Sequence, residues 1–248
     1  VLAWPQTPAK AIGRWYDRPA ELLGFLKDGY YFAGHAASVL IDHSNEECCY
    51  FDFGRYHMPR KYGRARSKET DPALTVHTKP VFSVSGDLLN SREILQELYN
   101  NQACHGSGPL YASVLKNVDF KSAYEYALSV QRNDAVKYGP YVINGTNCSR
   151  FITSVLKASK PLKKIKFRLS SSLLFTPLTK LNVFAVNNSY FKVTALETVE
   201  KRVGFIDLLK NFMLPFILLK EKHKRKYTIE SEVSEEFNYE TELNATDL

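Results

Sequence analysis

Residues 144–151 read Asn144-Gly145-Thr146-Asn147-Cys148-Ser149-Arg150-Phe151. Gly145 permits a tight turn and Thr146 or Asn147 is a good N-cap, so the spacing predicts a helix over Cys148–Lys157. Phe151, Ile152 and Val155 then share its buried side. A thiol in the first turn sits among N–H groups that lack an intrahelical acceptor, at the positive end of the helix dipole. That environment favours the thiolate, which is the nucleophilic form, and the same N–H groups suit an oxyanion. A buried structural cysteine is the competing reading.

Working outward, the segments before this helix alternate like strands. Tyr30–Ile41 (YYFAGHAASVLI) is small and β-branched, and Cys49–Arg55 reads CYFDFGR. Asp42–Cys48 between them has hairpin length. His35 follows Gly34 in the first strand and is the candidate general base, because imidazole titrates near neutrality. Asp52 lies between two phenylalanines in the second, where a buried carboxylate needs a partner. In a hairpin it can lie beside His35 and fix its tautomer. Arg55, three residues on, is the competing ion-pair partner, although alternation puts it on the opposite face.

The remaining chain reads as mixed α and β. Helices are expected over Ala20–Lys27, Arg92–Asn100 and Phe120–Ala135. A weak strand is expected over Leu74–Val84, and two more over Phe167–Phe175 and Leu181–Thr194. Gly204–Leu219 is strongly apolar but too short and too charged to span a bilayer. With Lys220–Lys226 behind it, this segment suits either a core helix or an anionic membrane surface.

The order of a His-bearing strand, an Asp-bearing strand, several helices and a Cys-capped helix resembles the permuted NlpC/P60 papain-like superfamily. That group contains the lecithin–retinol acyltransferase-like and YiiX/YaeF-like proteins. The resemblance rests on Gly34-His35, on Asp52, and on Asn147-Cys148-Ser149-Arg150-Phe151, which looks like an Asn-Cys-x-x-Phe box; it covers about residues 30–160. Lecithin–retinol acyltransferase relatives usually carry a histidine where Asp52 stands, so this chain departs from them there. The resemblance implies thiol-dependent hydrolysis or acyl transfer on amide or ester bonds. Cys148 would be the nucleophile, His35 the base and Asp52 the orienting group.

The expected architecture is therefore α+β, a papain-like core with an antiparallel sheet packed on helices and a C-terminal β-rich extension. Residues 1–160 form the core with an N-terminal extension, 161–228 the C-terminal extension, and 229–248 a flexible acidic tail. Arg55, Arg64 and Arg66 in the polar, aromatic connector after Asp52 suit a carboxylate or phosphate. Tyr138 and Asn147 are further candidates for substrate binding. His57 and His105 are alternative bases.

Composition limits the remaining choices. The 248 residues carry 33 bases and 26 acids, a net +7, with 44% hydrophobic and 13% aromatic residues. A wholly disordered chain is excluded, and the length suffices for a full core. Residues 229–248 hold seven acids and no base, so 19 acids face 33 bases elsewhere, a net +14. None of the basic clusters has the aromatic interleaving of a single-strand platform, so nucleic acid is not expected. Four cysteines, Cys48, Cys49, Cys104 and Cys148, make neither a disulfide framework nor a zinc motif. No cofactor or metal is expected. The expected partner is a small-molecule, peptide or lipid substrate, anionic if the arginines bind it, with peripheral membrane contact as an alternative. The opening VLAWPQTPAK is not a signal peptide as it stands, and the cysteine usage leans to a cytoplasmic setting, with processed export the alternative. A second class of function is a non-catalytic module binding an anion through Arg55–Arg66.

Overall fold

The expected strand over Tyr30–Ile41 divides at Gly34, whose φ of +73° is left-handed. A computed structural model describes residues 1–11, 13–22, 26–31, 33–171 and 178–204. Its first elements are β1 (Leu2–Trp4), β2 (Ala9–Lys10), α1 (Asp17–Leu22), β3 (Leu26–Lys27) and β4 (Tyr30–Tyr31). Strands β2, β4 and β3 make a small sheet of their own. The helix expected over Ala20–Lys27 thus starts earlier and gives way to β3.

Beyond Gly34, β5 (His35–Asp42) and β6 (Glu47–Gly54) form the expected hairpin, with Ala37 opposite Asp52 and Asp42 opposite Glu47. β7 (Tyr62–Arg66) pairs with β6 so that Arg66 stands opposite Asp52. The chain continues through α2 (Ser91–Asn100), β8 (Leu110–Ala112), α3 (Phe120–Gln131), β9 (Val136–Lys137) and α4 (Cys148–Ala158). It then runs through α5 (Lys163–Ser171), α6 (Thr179–Val186), β10 (Ser189–Val193) and β11 (Thr198–Arg202). The main antiparallel sheet has the order β11-β10-β8-β1-β5-β6-β7-β9. The fold class is α+β.

Alternation along β6 divides the core between the two faces of this sheet. Phe51 and Phe53 pack with Ala123, Ala127, Phe151 and Val155 of α3 and α4. Tyr50 and Cys48 face the other way, with Ile94, Leu95 and Leu98 of α2. Burying each phenylalanine contributes about 1.5–3 kcal/mol. Asp52 shares the Tyr50 face yet is fully buried, so its charge must be answered inside the protein.

Two β expectations change. The described part of Phe167–Phe175 is helical, because Ile165 and Leu169, one turn apart, pack against the core while Phe167 is 74% exposed. A strand would have put Phe167 and Leu169 on one face. Leu181–Thr194 divides into α6 and β10; Asn182, Val183, Phe184 and Val186 are all buried, so the helix shows no amphipathic period. The weak strand over Leu74–Val84 is absent. The Glu97 carboxylate takes the His77 and Thr78 N–H groups at 2.6 and 2.8 Å, in place of a strand ladder. Residues 205–219, Lys220–Lys226 and the acidic tail lie outside the described residues. No helix among the described residues is long and apolar enough to cross a membrane.

Candidate active site

Asn147 creates the first half of the site. Its side-chain oxygen accepts the Arg150 N–H at 2.9 Å, its backbone is extended, and α4 begins at Cys148. A cap of this kind contributes about 1 kcal/mol. Cys148 is 7% exposed, and its sulfur lies 3.8 Å from the Gly34 carbonyl oxygen. Gly34 is itself closely packed, since a Cβ there would meet Thr179 Oγ1 at 2.7 Å and the Trp4 carbonyl oxygen at 2.9 Å.

The second half comes from the β5–β6 hairpin. His35 Nε2 lies 3.1 Å from Asp52 Oδ2 and 3.3 Å from the Tyr56 hydroxyl. The Cys148 thiol, held against the carbonyl of neighbouring Gly34, is near enough to the ring to influence its titration. With Nε2 turned to Asp52 and Tyr56, the nitrogen left for the thiol is Nδ1. Trp4, opposite His35 in the β1–β5 register, stacks on the imidazole at 5.9 Å and 23°. Asp52 Oδ2 also accepts the Tyr50 and Tyr56 hydroxyls at 3.1 and 2.9 Å.

Electrostatics follow from this packing. Burial alone would pull the His35 imidazole down, but the hydrogen bond to Asp52 and the nearby Cys148 thiol outweigh it and carry its pKa up to about 9. Burial would raise the Asp52 carboxyl, yet the Arg66 guanidinium, then His35, hold it well below the usual carboxylate range. Burial pushes the Cys48 and Cys104 thiols up to about 12 and raises Cys49 as well. Burial also raises the Tyr138 hydroxyl, and negative charge on Cys148 adds to this.

The raised His35 value has a consequence for stability. A histidine at 6.5 when unfolded and about 9 when folded contributes stability that is complete below pH 6.5 and lost as pH rises through 9. The shift corresponds to roughly 3 kcal/mol. Urea midpoints are expected to fall between pH 6.5 and 9.5 in the wild type and to fall less in His35→Gln. Parallel profiles for the two proteins contradict the assignment.

The arginines divide. Arg66 donates from Nε and Nη2 to the two Asp52 oxygens at 3.0 and 2.7 Å. Arg64 makes a two-pronged contact with Asp71, both distances 2.8 Å. Two of the three side chains expected to meet an anionic ligand are thus engaged by internal carboxylates. Arg55 pairs with no carboxylate among the described residues, and its guanidinium carbon lies 5.9 Å from the Tyr138 ring centre. Tyr138 in turn stacks on Phe53 at 6.0 Å. Of the alternative bases, His105 stacks on Tyr56 at 5.3 Å, and His57 occupies a turn with φ of +48°.

Sequence reasoning missed Arg66 as the partner of Asp52, the Tyr50 and Tyr56 hydroxyls, and Trp4. Tyr50 was within reach, since i and i+2 share a strand face. Arg66 and Trp4 depend on which strands flank the hairpin, and no local pattern announces that. Among the described residues, no group of three or more His, Cys, Asp or Glu side chains is arranged to hold a metal ion.

Fold and site together define an α+β protein in which a buried histidine is hydrogen-bonded to a buried aspartate, with a buried cysteine at the start of α4 bonded to the residue before that histidine. The chain belongs to the type VI secretion system effector TseH-like family, whose sequence profile matches residues 1–165. It is also similar to the crystal structure of the type VI secretion system effector TseH. That similarity covers 81% of this chain and 95% of the other, at 17% identity and a TM-score of 0.46. No curated protein matches it.

Proposed function

We propose that this effector-family chain is a cysteine hydrolase of the permuted NlpC/P60 papain-like type, acting on amide or ester bonds. The observation that carries the reading is that Asp52 holds His35 at 3.1 Å while the Cys148 thiol, in the first turn of α4, lies 3.8 Å from the carbonyl oxygen of Gly34, the residue before His35. The reactive form is a thiolate beside an imidazolium. Sγ attacks the carbonyl carbon, and the oxygen takes the negative charge beside the first-turn N–H groups of α4. The bond to the leaving group breaks as His35 gives that group its proton, leaving a thioester. His35 then takes a proton from water, the hydroxide attacks the thioester, and the acid product leaves Sγ.

Asp52 keeps Nε2 occupied, so that Nδ1 stays on the sulfur. Arg55 beside Tyr138 is the proposed anchor for an anionic substituent of the substrate, with Tyr138 lining the cleft. Asn147 acts indirectly, by capping α4. The test is turnover of the Cys148→Ala protein on a panel of amide and ester substrates. Hydrolysis retained in that variant contradicts the reading.

A further inference from the structure

Arg66 is 3% exposed, and Asp52 is fully buried. Besides its two contacts with Asp52, Arg66 Nη2 donates to the Ala103 carbonyl at 3.0 Å. Nη1 lies 3.8 Å from Asp71, the carboxylate that Arg64 clamps. Its guanidinium carbon sits 3.3 Å from the Tyr56 ring centre, and the Tyr56 hydroxyl reaches both Asp52 and His35. Gly54 leaves room for that ring, since a Cβ there would come within 2.4 Å of it. A row of alternating charge, His35, Asp52, Arg66, Asp71 and Arg64, therefore leads from the thiol to the partly exposed Arg64 and Asp71.

We propose that Arg66 is a positioning residue of the thiol–imidazole pair, holding Asp52 as an oriented anion and through it keeping His35 protonated with Nδ1 on Cys148. The role of the pair in hydrolysis rests on the reading above; the link from Arg66 to His35 does not. Without Arg66 the only cation left on the buried Asp52 carboxylate is His35 itself, and the proton between the two groups moves toward the carboxylate, because desolvation disfavours both charges. His35 would then lose its counter-charge while remaining buried, and its proton would leave at lower pH.

The other titratable groups around the pair are few. Tyr50 and Tyr56 face Asp52 from β6 and the turn after it. Cys104 faces Asp52 and Tyr50 from the turn after α2. Tyr138 lies beside Cys148, and His105 beside Tyr56. Apart from Asp52, Arg66 and the thiol, none of these brings a fixed charge to His35 at neutral pH except a protonated His105, which lies behind the Tyr56 ring.

The experiment is a nuclear magnetic resonance titration of the His35 ring in the full chain. The wild-type ring is expected to titrate at about 9. Arg66→Met is expected to lower this by at least about one unit, and Arg66→Lys, which keeps the charge, by less than about half a unit. Asp52→Asn/Arg66→Met should match Asp52→Asn alone, because Arg66 acts through Asp52. That double variant leaves no lone buried charge, so it decides the matter where Arg66→Met fails to fold. An unchanged His35 titration in Arg66→Met overturns the proposal. So does a double variant that titrates at least about one unit below Asp52→Asn. Turnover enters none of these outcomes, so a failed hydrolase reading and a failed Arg66 role are told apart.

Discussion

Cys148→Ala is expected to fold as the wild type does and to lose hydrolytic turnover by about 10⁴-fold or more, the scale set by removing a covalent nucleophile. The side chain is small and its sulfur makes one hydrogen bond, to the Gly34 carbonyl oxygen, so truncation opens little space. The loss should fall on kcat, because the thiol forms a bond that exists only along the reaction. Substrate affinity should change little, because the proposed anchor Arg55 is untouched. Circular dichroism and a urea transition check the fold, and steady-state kinetics check the rate. A variant that folds normally and keeps more than about a tenth of the wild-type rate removes Cys148 from the chemistry.

Asp52→Ala is expected to cost about 3–5 kcal/mol of stability, the range for removing one partner of a buried ion pair. Arg66 would remain buried with its strongest acceptor gone, and Tyr50 and Tyr56 would lose theirs. Replacing both members, as in Asp52→Leu/Arg66→Met, should cost less than Asp52→Ala, since no uncompensated charge remains. Urea denaturation at pH 7 measures both. A loss below about 1 kcal/mol in Asp52→Ala would mean that the pair carries no such weight. The same variant should also lower turnover, because His35 loses the group that orients it.

Much of the row was legible in the sequence because each member sits in a local pattern. Asn147 caps, Gly145 turns, and the apolar positions after Cys148 repeat at helical spacing, so the helix start needed no tertiary knowledge. His35 and Asp52 fall in two alternating runs joined by a hairpin-length connection. What the sequence could not carry was the partner of Asp52. Arg55 is nearer in the chain, yet β6 ends at Gly54 and Arg66 arrives across the β6–β7 ladder. The same limit applied to charge. The basic body suggested an anionic ligand for three arginines, but two of them are spent on Asp52 and Asp71. In α5 and α6 the runs were short, with Phe167 facing outward among lysines in α5 and most of α6 buried, so neither period stood out.

The most direct test of the central claim, a Cys148–His35 reactive pair, is the rate at which iodoacetamide labels each of the four cysteines at pH 6, mapped by mass spectrometry. Cys148 should react first and alone, since burial pushes the Cys48 and Cys104 thiols up to about 12 and also raises Cys49. His35→Ala should slow its labelling at least about tenfold, because in the proposed mechanism the thiol takes its activation from His35. Labelling of Cys148 no faster than Cys104, or unchanged in His35→Ala, would contradict it.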